Sequence, residues 1–184
     1  MSAEIYLIVP TDIPSERLAP ALAEALAEND VAAVLLPRGR LAENAYKALA
    51  KTLVPLAQAE GAAVLVEGEP GIVRLLGADG LHVAGDGKAV KEAVSALKPD
   101  LIVGTGDIAS RDDAMSKGEL GVDYILFGPL SGSITPEARE TAQWWAETME
   151  IPSVLSDPEA SMDSFDAAGC EFIGLPLRVP EAAE

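Results

Sequence analysis

The sequence predicts an α/β fold: a single (β/α)8 barrel over residues 1–184, with a shortened C-terminal helix. Three observations predict it. Short apolar runs bounded by turn residues recur eight times along the chain. These runs lack polar alternation, as strands do when helices bury both faces of a parallel sheet. Segments of helical apolar spacing lie between the runs. Eight parallel strands favour closure, and an open flavodoxin-like sheet is the runner-up.

The elements follow in order. The first strand is read at Ile5–Val9 and its helix at Ser15–Ala27. Val31–Leu36 and Leu41–Glu60 form the second pair, Ala63–Val66 and Gly71–Leu76 the third, Gly80–Val83 and Lys88–Leu97 the fourth. Leu101–Val103 with Arg111–Leu120, then Tyr124–Phe127 with Glu137–Thr148, continue the alternation. Ser153–Leu155 precedes a helical segment at Glu159–Ala168, and Phe172–Gly174 is the eighth strand.

Helix entries support this register. Thr135-Pro136-Glu137 offers an N-cap, a proline at the first helical position and an acid in the first turn. Ser156-Asp157-Pro158-Glu159 repeats the pattern with Asp157 as cap, and Ser110 precedes a further helix. Gly61, Gly77, Gly121 and Gly169 each stand at a helix exit. The tail from Leu175 to Glu184 is too short for a full last helix. The barrel is therefore expected to be partly open there, or covered by a partner.

Composition narrows the function classes. Acids outnumber bases 30 to 13, a formal net charge of −17, which repels a phosphate backbone and argues against nucleic acid as a partner. No apolar run approaches the roughly 18 residues of a membrane span, and the start lacks a basic signal-like region. A lone cysteine, Cys170, excludes an internal disulfide and fits a reducing cytoplasm. An anionic ligand would require a local basic cluster or a divalent cation.

Gly77-Ala78-Asp79-Gly80-Leu81-His82-Val83 and Gly121-Val122-Asp123-Tyr124-Ile125-Leu126-Phe127-Gly128-Pro129 carry a more specific signal. Through them the chain resembles the thiamine phosphate synthase family, with its thiazole tautomerase relatives, most clearly from Ala63 to Pro129. The resemblance implies a barrel that joins a pyrimidine diphosphate to a thiazole phosphate and releases pyrophosphate with Mg²⁺. Departure of pyrophosphate needs a cation and positive side chains to take up its growing charge. The family places a Gln-Phe-Arg-Glu-Lys-like segment after strand two, Asn-Asp after strand three, an acid after strand four and Gly-rich phosphate turns after strands seven and eight.

Against that pattern this chain has Leu36-Pro37-Arg38-Gly39-Arg40 after strand two and Glu67-Gly68 after strand three. Ala84-Gly85-Asp86-Gly87 leaves glycine at the expected metal acid, with Asp86 one residue early. Arg38 and Arg40 are the expected catalytic anion ligands, because guanidinium pairs bidentately with phosphate. Glu67 and Asp86 are the expected Mg²⁺ ligands, chosen from the hard donors Glu67, Glu69, Asp86 and Asp107. Thr105 and Gly106, read as a turn open to an anion, join Ser131, Ser133 and Arg178 as further ligand contacts.

Other features point away from the family's chemistry. Asp157 as a cap and Pro158 without an N–H would spoil a phosphate cup after strand seven. His82, the one histidine, is read as a core residue inside strand four, and Cys170 as inert. Trp144 and Trp145 face directions about 100° apart on one helix, so one is core and the other is a candidate homodimer contact. Two functions remain open. One is thiamine phosphate synthesis; the other is a catalytically silent member that binds a phosphorylated or heterocyclic small molecule, or a protein. Metal-free isomerisation ranks last, because it needs an acid or base at the rim and His82 is poorly placed for that.

Overall fold

In the computed structural model, which describes residues 2–181, eight parallel strands close into a barrel in chain order. The elements are β1 (Glu4–Ile8), α1 (Ser15–Glu28), β2 (Val31–Leu36), α2 (Glu43–Ala59), β3 (Ala63–Val66), α3 (Gly71–Leu76) and β4 (Gly80–Val83). They continue as α4 (Gly87–Leu97), β5 (Ile102–Thr105), α5 (Arg111–Gly118), β6 (Tyr124–Phe127), α6 (Pro136–Thr148), β7 (Ser153–Ser156) and β8 (Phe172–Pro176). The closing pair is β1 with β8, in register from Glu4 opposite Phe172 to Ile8 opposite Pro176.

Alternation along each strand divides the side chains between two apolar layers. Leu7, Val34, Val64, Leu81, Ile125 and Ile173 point outward and pack with Leu18 and Leu22 of α1, Leu53 of α2, Val90 of α4 and Trp145 of α6. Tyr6, Ile8, Leu35, Leu65, Tyr124, Leu126 and Val154 point inward and fill the lumen. Full burial of each such side chain stabilises the fold by roughly 1.5–3 kcal/mol. Both layers are mainly aliphatic, as the composition implies, with Trp145 in the outer one and Tyr6 and Tyr124 in the inner one.

Two of the three expected helix entries hold, at Thr135 and Ser110, whereas Asp157 caps no helix. Thr135 Oγ1 accepts from the Ala138 N–H at 3.1 Å, and Ser110 Oγ from the Asp113 N–H at 3.1 Å. Gly77 ends α3 in the left-handed conformation, φ +68°, which a side chain would strain. Thr105 belongs to β5 rather than to a turn.

The helix expected at Glu159–Ala168 is absent. Turns and one isolated bridge, Ser161 with Ser164, connect β7 to β8. The cause is local. The Asp157 and Asp166 carboxylates accept from the N–H groups of Glu159 and Ala168, two residues on, and hold turns that compete with a helix. Met162, Phe165 and Val179 pack against the outer core in place of helices seven and eight. The tail is fastened by Leu177 N–H to Ile8 O at 2.8 Å and by Arg17 to Pro180 O at 2.8 Å.

Candidate functional site

The C-terminal ends of the strands form the rim where barrels of this kind place their chemistry. After β2 the chain turns through Arg38, half-buried, and Arg40, exposed. The Arg38 N–H donates to Glu67 Oε1 at 2.9 Å, which couples the β2 and β3 loops. Its guanidinium Nε donates to Leu41 O at 3.2 Å, so the head group leans over the start of α2. Tyr46, on α2 and fully buried, donates to Leu36 O and accepts from the Glu67 N–H at 2.9 Å. Glu67 is thus held from two sides.

Burial pushes the Glu67 carboxyl above the usual carboxylate range, and Asp107 adds to the rise, while the Arg38 N–H opposes it. Asp86 has a different task. It caps α4, its Oδ1 accepting from the Ala89 N–H at 3.0 Å. The acid that acts on Glu67 is therefore Asp107, on the β5 loop. Among the described residues no three His, Cys, Asp or Glu side chains gather as a metal-ion cluster. Asp86 and Glu67 each accept a backbone amide through one carboxylate oxygen and belong to no cluster of three such side chains, so the described residues gather no preformed Mg²⁺ site.

The β5 loop is built on a side chain that motif reading misses. Lys117 of α5 is only 4% exposed, with Nζ at 3.0 Å from Gly106 O, 3.2 Å from Asp107 O and 3.4 Å from Asp113. It draws both carbonyls inward and accompanies a left-handed Asp107, φ +54°. Its spacing of four from Asp113, with both on one helix face, was the available signal. Thr105 is fully buried and donates to Val83 O at 2.9 Å, so its hydroxyl serves the barrel wall. Gly106 is buried too, and a Cβ there would stand 3.3 Å from His82 Nε2.

Elsewhere on the rim the predicted contacts scatter. Ser131 and Ser133 are exposed, and Ser133 donates to Glu159 at 2.8 Å. Asp157 caps no helix; it pairs with Arg139 at 3.0 Å and holds a short turn. The Arg178 guanidinium donates to the Pro158 and Ala160 carbonyls at 3.1 and 3.3 Å, so it fastens the β7–β8 connection. Among the described residues no helix N-terminus follows β7 to offer N–H groups to a phosphate.

The core residues stand as follows. His82 is buried in β4, where burial lowers its pKa to about 4. Cys170 is buried, and the same cause raises its thiol pKa. Trp145 is core, whereas Arg111 stacks 4.8 Å above the half-buried Trp144.

Comparison with known proteins decides the lineage. The family model for thiamine monophosphate synthase matches residues 5–156. This chain belongs to the thiamine monophosphate synthase family. The thiamine-phosphate synthase of Rhodospirillum centenum is 36% identical over 155 residues, covering 82% of this chain and 75% of that protein. That of Hyphomonas neptunium is 33% identical over 160 residues, covering 82% and 72%. The thiamine phosphate pyrophosphorylase of Pyrococcus furiosus shares the fold, with a TM-score of 0.76 at 20% identity over 94% of this chain and 85% of that one. Among the described residues no helix of this family member is long and apolar enough to cross a membrane.

Proposed function

We propose that this family member does not join a pyrimidine diphosphate to a thiazole phosphate, and that its rim binds a small phosphorylated heterocycle through Arg38 and Arg40. One observation carries the reading: the β7–β8 connection has no helix, and the carboxylate of Asp157 stands where a phosphate cup would open. A dissociating pyrophosphate requires dense positive charge. Arg178, Arg139 and Lys117 are bonded to carbonyls or acids of the fold, which leaves Arg40 and the terminal Nη groups of Arg38, whose Nε is bonded to Leu41 O, for an anion.

Calorimetric titration with thiazole phosphate tests the binding. Wild type is expected to bind, and Arg38→Ala with Arg40→Ala to weaken binding at least tenfold. Heat that is unchanged in the double variant would overturn the assignment to these arginines.

The 36% identity to the Rhodospirillum centenum synthase favours a second reading, synthesis itself. Under it Arg38 and Arg40 would take the diphosphate, Thr105, Gly106, Ser131, Ser133 and Arg178 would line the site, and Glu67 with Asp86 would hold Mg²⁺. That reading requires Asp86 to reach Mg²⁺ through the oxygen that does not cap α4. It predicts turnover, which the first excludes.

A further inference from the structure

The opposite end of the barrel carries a cavity that the rim chemistry does not use. A barrel lumen is ordinarily closed by layers of branched side chains. Here the N-terminal layer is thin, because Ala33 on β2 and Ala63 on β3 contribute little volume. A cavity of about 320 Å³ results, with walls from Ala33, Ala63, Leu65, Ile102, Val154 and Phe172. Ile102 and Phe172 are the first residues of β5 and β8, which places the mouth at the strands' N-terminal ends.

The inner end and the mouth differ in chemistry. Tyr6 and Tyr124 border the cavity at its inner end, 2% and 7% exposed, with their hydroxyls 2.6 Å apart. Tyr124 is also 2.7 Å from His82 Nδ1. If Tyr124 donates to the neutral histidine, Tyr6 donates to Tyr124, and both protons are satisfied. The reverse polarity leaves the Tyr6 proton without an acceptor among the described residues. The Tyr6 oxygen therefore keeps acceptor capacity for a further donor. At the mouth stand two acids, Glu4 and Asp123, the latter paired with Lys98. With a net charge of −17 over the chain, they disfavour an anion.

We propose that the N-terminal mouth of the barrel binds a small uncharged or cationic organic molecule with an apolar body and a hydrogen-bond donor. At roughly 30 Å³ per water-sized group, the cavity accommodates about ten non-hydrogen atoms. Its size and mostly apolar walls with a few polar groups match small-molecule sites. The site lies at the far end of the strands from Arg38 and Arg40, so its failure leaves the rim assignment untouched.

The test is titration of isotopically labelled protein with benzyl alcohol, benzylamine and benzoate, followed by amide chemical shifts. Benzyl alcohol and benzylamine are expected to give saturable shifts confined to the strand starts around Ala33, Ala63, Ile102 and Phe172. Benzoate is expected to bind at least tenfold more weakly. Ala63→Leu, which fills the mouth, should abolish the shifts while the rest of the spectrum is kept. Ala33→Leu serves if Ala63→Leu does not fold. Absence of saturable shifts with all three probes, or shifts that persist in a folded filled variant, overturns the proposal. So does a concentration-dependent shift at the same amides without any probe, which would show a second copy of the chain at the mouth.

Discussion

Nδ1 of His82 lies 2.7 Å from the hydroxyl of Tyr124 inside the barrel lumen, where burial keeps the ring neutral. Burial holds its pKa at about 4 against the ordinary 6.5. An unfolded chain takes up the proton as pH falls below 6.5, while the folded protein refuses it until about pH 4. Stability therefore declines through that window, by about 3 kcal/mol at 1.36 kcal/mol per unit. Denaturant unfolding at pH 7, 5.5 and 4 checks this against His82→Gln, which should lose this part of the slope. Identical slopes would contradict a buried neutral histidine.

Gly104 gives Tyr124 its place. A Cβ at 104 would stand 2.0 Å from two ring carbons of Tyr124, and the ring is pinned by Tyr6 and His82 through its hydroxyl. Gly104→Ala is expected to cost about 3 kcal/mol, at the upper end of overpacking effects. Most of that cost should vanish in a Tyr124→Leu background, as a double-mutant cycle by chemical denaturation would read.

Lys117 is a buried cation with carbonyl partners and one carboxylate, so removing its charge leaves Asp113 and two backbone oxygens short of a donor. Lys117→Met, close in volume, is expected to destabilise by about 2–3 kcal/mol. Amide exchange should accelerate first at Asp107 to Ala109. Unaltered exchange there would remove Lys117 as the support of the β5 loop.

Glu67 has the opposite sign from a paired surface acid. Its carboxyl pKa is raised by burial, so the folded state favours the protonated form. Its contribution is fully present below the unfolded value and is lost as pH rises through the folded one. Glu67→Gln still offers an oxygen to the Arg38 N–H. It is expected to be more stable than wild type at pH 7, with the difference closing below pH 4.5. Thermal melts at the two pH values provide the comparison.

The sequence displays the barrel clearly because its periodicity is strong: each βα unit buries the same kind of apolar face, and Ser110 and Thr135 cap as read. The segment after β7 misleads for a physical reason. Proline following an N-cap residue is a good helix signal, yet Asp157 and Asp166 bond to amides two residues on and hold turns instead. The site is less legible than the fold. Asp86 has the same one-letter appearance as a metal acid and a helix cap, and only the Ala89 amide distinguishes them. Thr105 between two glycines suggests an open turn, but strand pairing with Ile125 continues through it. Arg178 looks free along the chain and is held by carbonyls about 20 residues away. Tyr6 and Tyr124, 118 residues apart, meet only when the barrel closes.

Thiamine phosphate formation by the purified, folded protein decides between binding alone and synthesis. Pyrimidine diphosphate, thiazole phosphate and Mg²⁺ are supplied, with Arg38→Ala as the control. No product is expected from a protein that still binds thiazole phosphate. Turnover that falls in Arg38→Ala would contradict that expectation, and would show that this rim can discharge pyrophosphate without a helix after β7.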